Sequence, residues 1–190
     1  MSFLFLISLI LYLLLINKIY ERRTSNKSYF LIIISILILT FSYSISQELN
    51  ILFYFYLLPF IYIFYIDKKE LIIFDEYNLL LLILSLIFTI FYKQLITSIY
   101  YLIFFTLLYF LVLIIQNKTK KEYIGLGDMK LFVSLSLIFT YYTFYVMFLA
   151  SVSALIITIV KQLITKRKCL IPFGPYLVVS YLMIFIIYIK

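Results

Sequence analysis

The chain has 190 residues, 66% of them hydrophobic, with a mean hydropathy of +1.17 and a formal net charge of +8. Soluble domains are about 45–50% apolar, so this composition excludes an ordinary soluble domain. With no histidine and a single cysteine, Cys169, the chain also excludes an internal disulfide, a Cys/His metal site and histidine-assisted nucleophiles. Carboxylates are the catalytic groups that remain for a hydrolytic mechanism, and neither a metal nor a cofactor is expected.

Apolar stretches separated by short polar connections predict eight membrane-spanning helices. In chain order these are Ser2–Ile16, Tyr29–Ser46, Ile51–Ile66, Leu79–Tyr92, Leu95–Ile115, Lys130–Thr140, a seventh that ends at Val160, and Leu170–Ile189. The first is expected to be a retained span, because no basic segment precedes it and no small-residue cleavage site follows it. The predicted fold is an all-α polytopic membrane bundle, with two helices in residues 1–50 and a six-helix core in residues 51–190.

The basic residues predict the orientation of the spans, because lysine and arginine concentrate on the cytoplasmic side of membrane proteins. Fourteen of the sixteen fall in the odd-numbered connections, and only Lys93 and Lys190 do not. This split favours eight spans with both termini outside. Topology and anionic lipid account for the positive charge, so nucleic acid is not expected as a partner.

Two glycines and an aspartate interrupt the apolar sequence at Tyr123–Lys130, which reads Tyr-Ile-Gly-Leu-Gly-Asp-Met-Lys. A carboxylate near hydrocarbon costs about 2.5–3.5 kcal/mol, so Asp128 calls for a function. Asp67 ends the third predicted span and Asp128 begins the sixth, which places both at the cytoplasmic side. Two carboxyl groups held close together cannot both ionise, so one remains an acid while the other is a base. Such a pair is suited to peptide hydrolysis.

The neighbouring polar residues have structural and functional interpretations. Gly125 and Gly127 allow the backbone and a substrate to approach closely. Lys130 either shifts the pKa of Asp128 or anchors the helix at the lipid headgroups. Because a lone aspartate at a span boundary is commonly a solvated cap, a small transporter or channel subunit that relays protons or ions through the two aspartates is the alternative from another class.

Three segments resemble the motifs of one family, the type IV prepilin peptidases, which are membrane aspartic proteases. Gly125–Lys130 is similar to the family's Gly-x-Gly-Asp-x-Lys motif. Asp67, followed by Ile73-Phe74-Asp75, resembles its first catalytic aspartate ahead of an Ile-Pro-Asn/Asp turn, with Phe74 in place of the proline. Pro172, Phe173, Gly174 and Pro175 resemble the Pro-Phe-Gly-Pro segment that opens the last span. The resemblance covers about residues 51–190.

The resemblance implies an aspartic endopeptidase of the bacterial cytoplasmic membrane, with Asp67 and Asp128 as its catalytic pair. Its substrate would be a prepilin or pseudopilin of a type IV pilus or protein secretion system, cut on the cytoplasmic side between a short basic leader and the hydrophobic helix. Acidic residues beside the site are expected to attract that leader, namely Glu70, Asp75, Glu76 and Glu122. An inactive relative that only scaffolds pilus assembly, and a homologue acting on archaeal flagellar-type preproteins, are the alternatives within the resemblance.

The N-terminal part differs from that of larger family members. These often carry a cytoplasmic insertion between the first two spans, with paired Cys-x-x-Cys motifs associated with N-methylation of the new terminus. The corresponding connection here is Lys18–Ser28, and it contains no cysteine. The chain is therefore expected to act as a peptidase without N-methyltransferase activity.

Overall fold

The structure is a computed structural model that describes residues 3–24, 51–91, 95–121, 124–165 and 172–189. Within these ranges it contains seven α-helices and no strand, which confirms the predicted all-α class. The second predicted span, Tyr29–Ser46, lies outside the described residues, so the count of eight spans stays a prediction.

Seven helices succeed one another along the described residues. They are α1 (Phe3–Thr24), α2 (Ile51–Glu70), α3 (Asp75–Phe91), α4 (Leu95–Thr119), α5 (Leu126–Phe139), α6 (Tyr142–Thr165) and α7 (Gly174–Ile189).

The described residues form two compact units. One comprises the residues up to Tyr62 together with Ile189, and the other those from Ile63 to Tyr188, so α2 contributes to both. In the first unit, the Tyr62 hydroxyl donates to Asn17 Oδ1 over 3.2 Å, and Asn17 Nδ2 donates to Glu21 Oε1 over 3.0 Å. These hydrogen bonds join α1 to α2 and satisfy a buried amide that would otherwise destabilise the unit.

The second unit is built around α5. Nearly every residue from Met129 to Phe139 is buried, and α3 and α4 each pack along this helix. A 14-residue helix is about 21 Å long, shorter than a hydrocarbon core of about 30 Å, and the burial of its side chains shows that protein surrounds it. Aromatic rings supply much of that cover: Tyr181 lies 5.1 Å from Phe139 and Phe105 lies 6.4 Å from Phe132, measured between ring centroids.

Two helices are long and apolar enough to cross a membrane, namely Leu95–Thr119 and Tyr142–Ile164. Only 11% and 17% of the residues in their most apolar stretches are buried, whereas the core helix of a soluble protein is mostly buried. The exposed leucine, isoleucine and phenylalanine side chains of both helices therefore fit a lipid surrounding.

Three helix boundaries at candidate functional residues differ from the sequence-based bounds. The connection expected at Asp67–Asn78 is only residues 71–74, because α2 continues to Glu70 and α3 begins at Asp75. Likewise α5 begins at Leu126, four residues before the predicted start. Charged residues are typical of loops, but they also favour helix ends because of the helix dipole. Lys68 and Lys69 lie in the last turn of α2, and Asp75 and Glu76 lie in the first turn of α3.

Three helices are followed by a non-glycine residue with a positive φ. Leu71 follows α2 with φ 59°, Lys120 follows α4 with φ 51°, and Thr140 follows α5 with φ 46°. A positive φ lets the chain leave a helix while its last carbonyl groups are satisfied, as when Leu71 N donates to Asp67 O over 3.0 Å. A side chain with a Cβ pays about 1–2 kcal/mol to adopt it.

We expect Lys120→Gly to stabilise the protein by about 1 kcal/mol, because glycine adopts this conformation without the Cβ clash. For a chain of this size, that corresponds to an increase of about 2–4 °C in the melting temperature, measured in detergent. Lys121→Gly is the matched control, since Lys121 is an exposed neighbour with the ordinary sign of φ. An equal increase in both variants would contradict the explanation.

Candidate active site

Asp67 lies in the last turn of α2 and is only 5% exposed. Its carboxylate accepts a hydrogen bond from the backbone N–H of Gly174, with 2.8 Å between Gly174 N and Asp67 Oδ2. Gly174 is the first residue of α7, where the backbone N–H groups have no partner within the helix. The start of α7 therefore holds the carboxylate at the end of α2.

Gly174 makes this contact possible because it has no side chain. A Cβ built on Gly174 would lie 2.9 Å from Asp67 Oδ2 and 3.0 Å from both Cβ and Cγ of Asp67. Such distances are too short for carbon contacts, so any side chain here would displace Asp67. The segment predicted to open the last span, from Pro172 to Pro175, thus contributes to the site through its glycine.

Asp128 lies in the first turn of α5, directly after the glycine pair. Its Oδ1 is buried and has no hydrogen-bond partner among the described residues. A Cβ on Gly125 would lie 2.6 Å from Asp128 Oδ2, and a Cβ on Gly127 would lie 3.0 Å from Ile73 Cβ. Each glycine of the motif therefore occupies a place where a larger residue would push against the carboxyl group or against the 71–74 connection.

The two aspartates interact electrostatically. Burial, and secondarily the negative charge of Asp67, raises the pKa of Asp128 from 3.8 to about 7. Burial also raises the pKa of Asp67, but the hydrogen bond from Gly174 acts in the opposite direction. Both residues lie at helix ends, outside the segments predicted to span the membrane. Asp128 is therefore about half protonated near neutral pH, with the charge of Asp67 nearby.

A cavity of about 330 Å³ opens beside Asp128. Gly125, Met129 and Phe132 line it from the α5 side, Met147 and Ser151 from α6, and Phe173 from the segment that precedes α7. Its walls are mostly apolar, so an extended peptide with apolar side chains fits there beside an acid. Sequence reasoning did not identify Met147 or Ser151, because no local pattern marks them.

A larger cavity of about 530 Å³ lies on a different face of α5, away from Asp128. At its mouth, Lys130 Nζ donates to Asp75 Oδ1 over 2.7 Å, and both side chains are partly exposed. Lys130 thus pairs with α3. Phe74, found where the family has proline, still starts α3 normally, because its carbonyl accepts from the N–H groups of Tyr77 and Asn78.

The acidic residues proposed to attract a leader differ in their exposure and in their ion pairing. Asp75 is exposed but already paired with Lys130, whereas Glu70 and Glu76 are half-buried. Glu122 lies outside the described residues. Within the part of the chain that the structure describes, no group of three or more His, Cys, Asp or Glu residues is arranged to hold a metal ion.

We expect Gly174→Ala to destabilise the protein, because the added methyl group must displace the buried Asp67 or part α2 from α7. Overpacking of this kind costs about 1–3 kcal/mol. Gly125→Ala is the matched control, since its new methyl group meets only the carboxyl end of the Asp128 side chain. Thermal unfolding in detergent measures both, and an equal loss in the two variants would contradict this account.

We expect Asp128→Asn to stabilise the folded protein at pH 8 but not at pH 4. Because the folded-state pKa of Asp128 is raised to about 7, the folded state retains a proton that the unfolded state releases above about pH 4. The stability of the wild type therefore falls as pH rises through this window, by at most about 4 kcal/mol from this group. Asparagine does not titrate, so the variant lacks this pH-dependent loss of stability. Melting temperatures across pH 4–8 measure the effect, and two parallel curves would contradict it.

Comparison with known proteins identifies the family. Residues 52–159, more than half of the chain, match the sequence model of the type IV leader peptidase family. No curated protein and no solved structure matches the chain. The matched region includes Asp67, Asp128 and both glycines of the motif. Members of the family are membrane proteases of the aspartic type, and this chain belongs to the type IV leader peptidase family.

Proposed function

We propose that the protein is a membrane aspartic endopeptidase that removes the leader from prepilin-like precursors, with Asp67 and Asp128 as its catalytic residues. One observation carries the proposal: two carboxyl groups at helix ends lie near enough that the charge of Asp67 adds to the effect of burial in raising the pKa of Asp128. The two residues are 61 positions apart in the sequence, so their proximity depends on how distant helices pack.

The hydrogen bonding favours different roles for the two aspartates. Asp67 accepts the Gly174 N–H, which stabilises its ionised form, so Asp67 is the base that takes a proton from the attacking water. Asp128 has a buried oxygen without a partner among the described residues, and its pKa is about 7. Asp128 is therefore the acid that donates to the peptide carbonyl as the tetrahedral intermediate forms. Asp67 then protonates the leaving amine while Asp128 takes back a proton from a hydroxyl of the intermediate, and the C–N bond breaks.

The position of the pair fits cleavage near a membrane surface. We infer a six-helix catalytic core in residues 51–190, eight spans in all, and a site on the cytoplasmic side, because the basic connections flank both aspartates. The apolar cavity beside Asp128 is suited to the start of the substrate's hydrophobic segment. Glu70, which is not paired with Lys130, is better placed to attract a basic leader than Asp75 is.

The proposal comprises peptidase activity alone. N-methylation needs a site for a methyl donor, and the first connection, Lys18–Ser28, is short and contains no cysteine. Residues 18–24 of that connection belong to α1 and the rest lies outside the described residues, so the inference rests on the sequence.

Co-expression with a prepilin tests the function. We expect wild-type protein to shorten the precursor by its leader, and Asp67→Asn or Asp128→Asn to reduce the cleavage rate by at least about 10³-fold while substrate binding persists. Cleavage should also fall above about pH 7, where Asp128 loses its proton. Mass spectrometry of the product reports the cleavage site and whether the new N-terminus is methylated.

Lys130→Gln serves as the control for general effects of charge near Asp128, since Lys130 pairs with Asp75 on another face of α5. It should retain most of the cleavage activity. Absence of cleavage by pure wild-type protein, together with ion flux in vesicles that depends on Asp128, would favour the transporter interpretation. A product methylated by this chain alone would contradict the restriction to peptidase activity.

A further inference from the structure

We propose that two buried carboxamide side chains, those of Asn78 and Gln116, are positioning residues that clamp the glycine–aspartate turn and thereby place Asp128. Neither residue touches the reacting groups in this arrangement; each acts through the backbone at residues 124–127. The effect on cleavage rests on the proposed function, whereas the clamp itself is a statement about the folded chain and is tested separately.

Asn78 contacts the turn from α3. It is 4% exposed, and its Nδ2 donates to the carbonyl oxygen of Gly127 over 3.3 Å. Because that oxygen only accepts, the amide must present its nitrogen there, which fixes its orientation. The backbone carbonyl oxygen of Asn78 is held in turn, since it accepts from the Ser134 hydroxyl of α5 over 2.9 Å. The Asn78 side chain thus links the backbone of α3 to that of Gly127, one residue before Asp128.

Gln116 contacts the other end of the turn from α4. It is 8% exposed, and its Nε2 donates to the carbonyl oxygen of Ile124 over 2.7 Å. Ile124 directly precedes Gly125 and lies outside α5, so its carbonyl takes no part in the hydrogen-bond ladder of that helix. Two helices that pack along α5 therefore hold the two ends of the four-residue segment 124–127.

The turn needs external anchors because it lacks those of an ordinary helix start. Helices commonly begin at Ser, Thr, Asp or Asn, whose side chains cap the first N–H groups. The cap position here is Gly125, which has no side chain, and no side-chain cap is formed. Two glycines in four residues also leave the backbone more conformational freedom than other residues would.

Asp128 depends on this backbone for its position. Its Oδ1 has no hydrogen-bond partner among the described residues, so no contact to that oxygen holds the carboxyl group in place. The position of its Cα therefore contributes to placing the carboxyl group. A shift of about 1 Å in a catalytic group lowers rates by about 100-fold, so carbonyl clamps on both sides of the turn matter for chemistry.

Hydrogen–deuterium exchange of the purified full chain tests the clamp without any substrate. In Asn78→Leu and in Gln116→Met, which remove the donors but keep the volume, we expect exchange at the amides of residues 124–129 to accelerate by about 3- to 10-fold. Thr158→Val is the matched control, because it removes a side-chain bond to a backbone carbonyl, Thr158 Oγ1 to Ala154 O at 2.6 Å, within α6. Unchanged exchange in residues 124–129, or the same acceleration in the control, would overturn the proposal. If Asn78→Leu or Gln116→Met does not fold, the same exchange is measured in Asn78→Ala or Gln116→Ala, respectively.

Cleavage kinetics then test the role in catalysis. We expect each single variant to lower kcat by about 10-fold with little change in KM, and the double variant to lower it by less than the product of the two, because both residues hold the same turn. The alkaline limb of the pH profile should move to lower pH as water reaches Asp128, which faces Asp67. The positioning role would be overturned if the variants yielded less folded enzyme but kept the wild-type kcat and the same alkaline limb of the pH profile. Accelerated exchange together with an inactive wild type would support the clamp and refute the proposed function instead.

Discussion

The hydrogen bond from Gly174 to Asp67 is the contact on which the candidate site depends. It joins the last turn of α2 to the first residue of α7, across 107 positions in the sequence. A buried carboxylate without such a donor would be too costly to keep ionised. Because a backbone N–H donates here, only a residue without a side chain allows the 2.8 Å approach. This one contact therefore stabilises the charge of Asp67, requires a glycine at position 174 and holds α2 against α7.

The three glycines of the chain are all used in this way. Gly174 faces Asp67, Gly125 faces Asp128, and Gly127 packs against Ile73 in the connection between α2 and α3. None has a positive φ, so their role is close approach rather than unusual backbone conformation. A chain with so few glycines places each where a Cβ would collide with an aspartate or with the segment beside it.

Much of this could be predicted from the sequence, and the remainder has physical reasons. Composition and apolar runs predict an all-α class, and the breaks in those runs mark Asp67, Asp128 and the glycine pair. Helix bounds were misjudged at those same residues, because charged residues at a helix end and in a loop look alike in sequence. The contact between Asp67 and Gly174 has no local signature, since it depends on how distant helices pack. Asn78 and Gln116 were missed for a related reason: a carboxamide near a helix end is ordinary until its backbone partner is known.

In the proposed mechanism, unequal hydrogen bonding makes one of two similar carboxyl groups the acid and the other the base. Coupled groups titrate as a pair, so mutual repulsion alone does not decide which one keeps the proton. The Gly174 N–H stabilises the ionised form of Asp67, whereas Asp128 has a buried oxygen without a partner among the described residues. The proton therefore resides preferentially on Asp128. If the anchors at Gly127 and Ile124 place Asp128 through its backbone, its carboxyl group needs no donor of its own, and this asymmetry is preserved. On this view, the same arrangement that leaves Asp128 Oδ1 without a partner among the described residues also keeps Asp128 an acid.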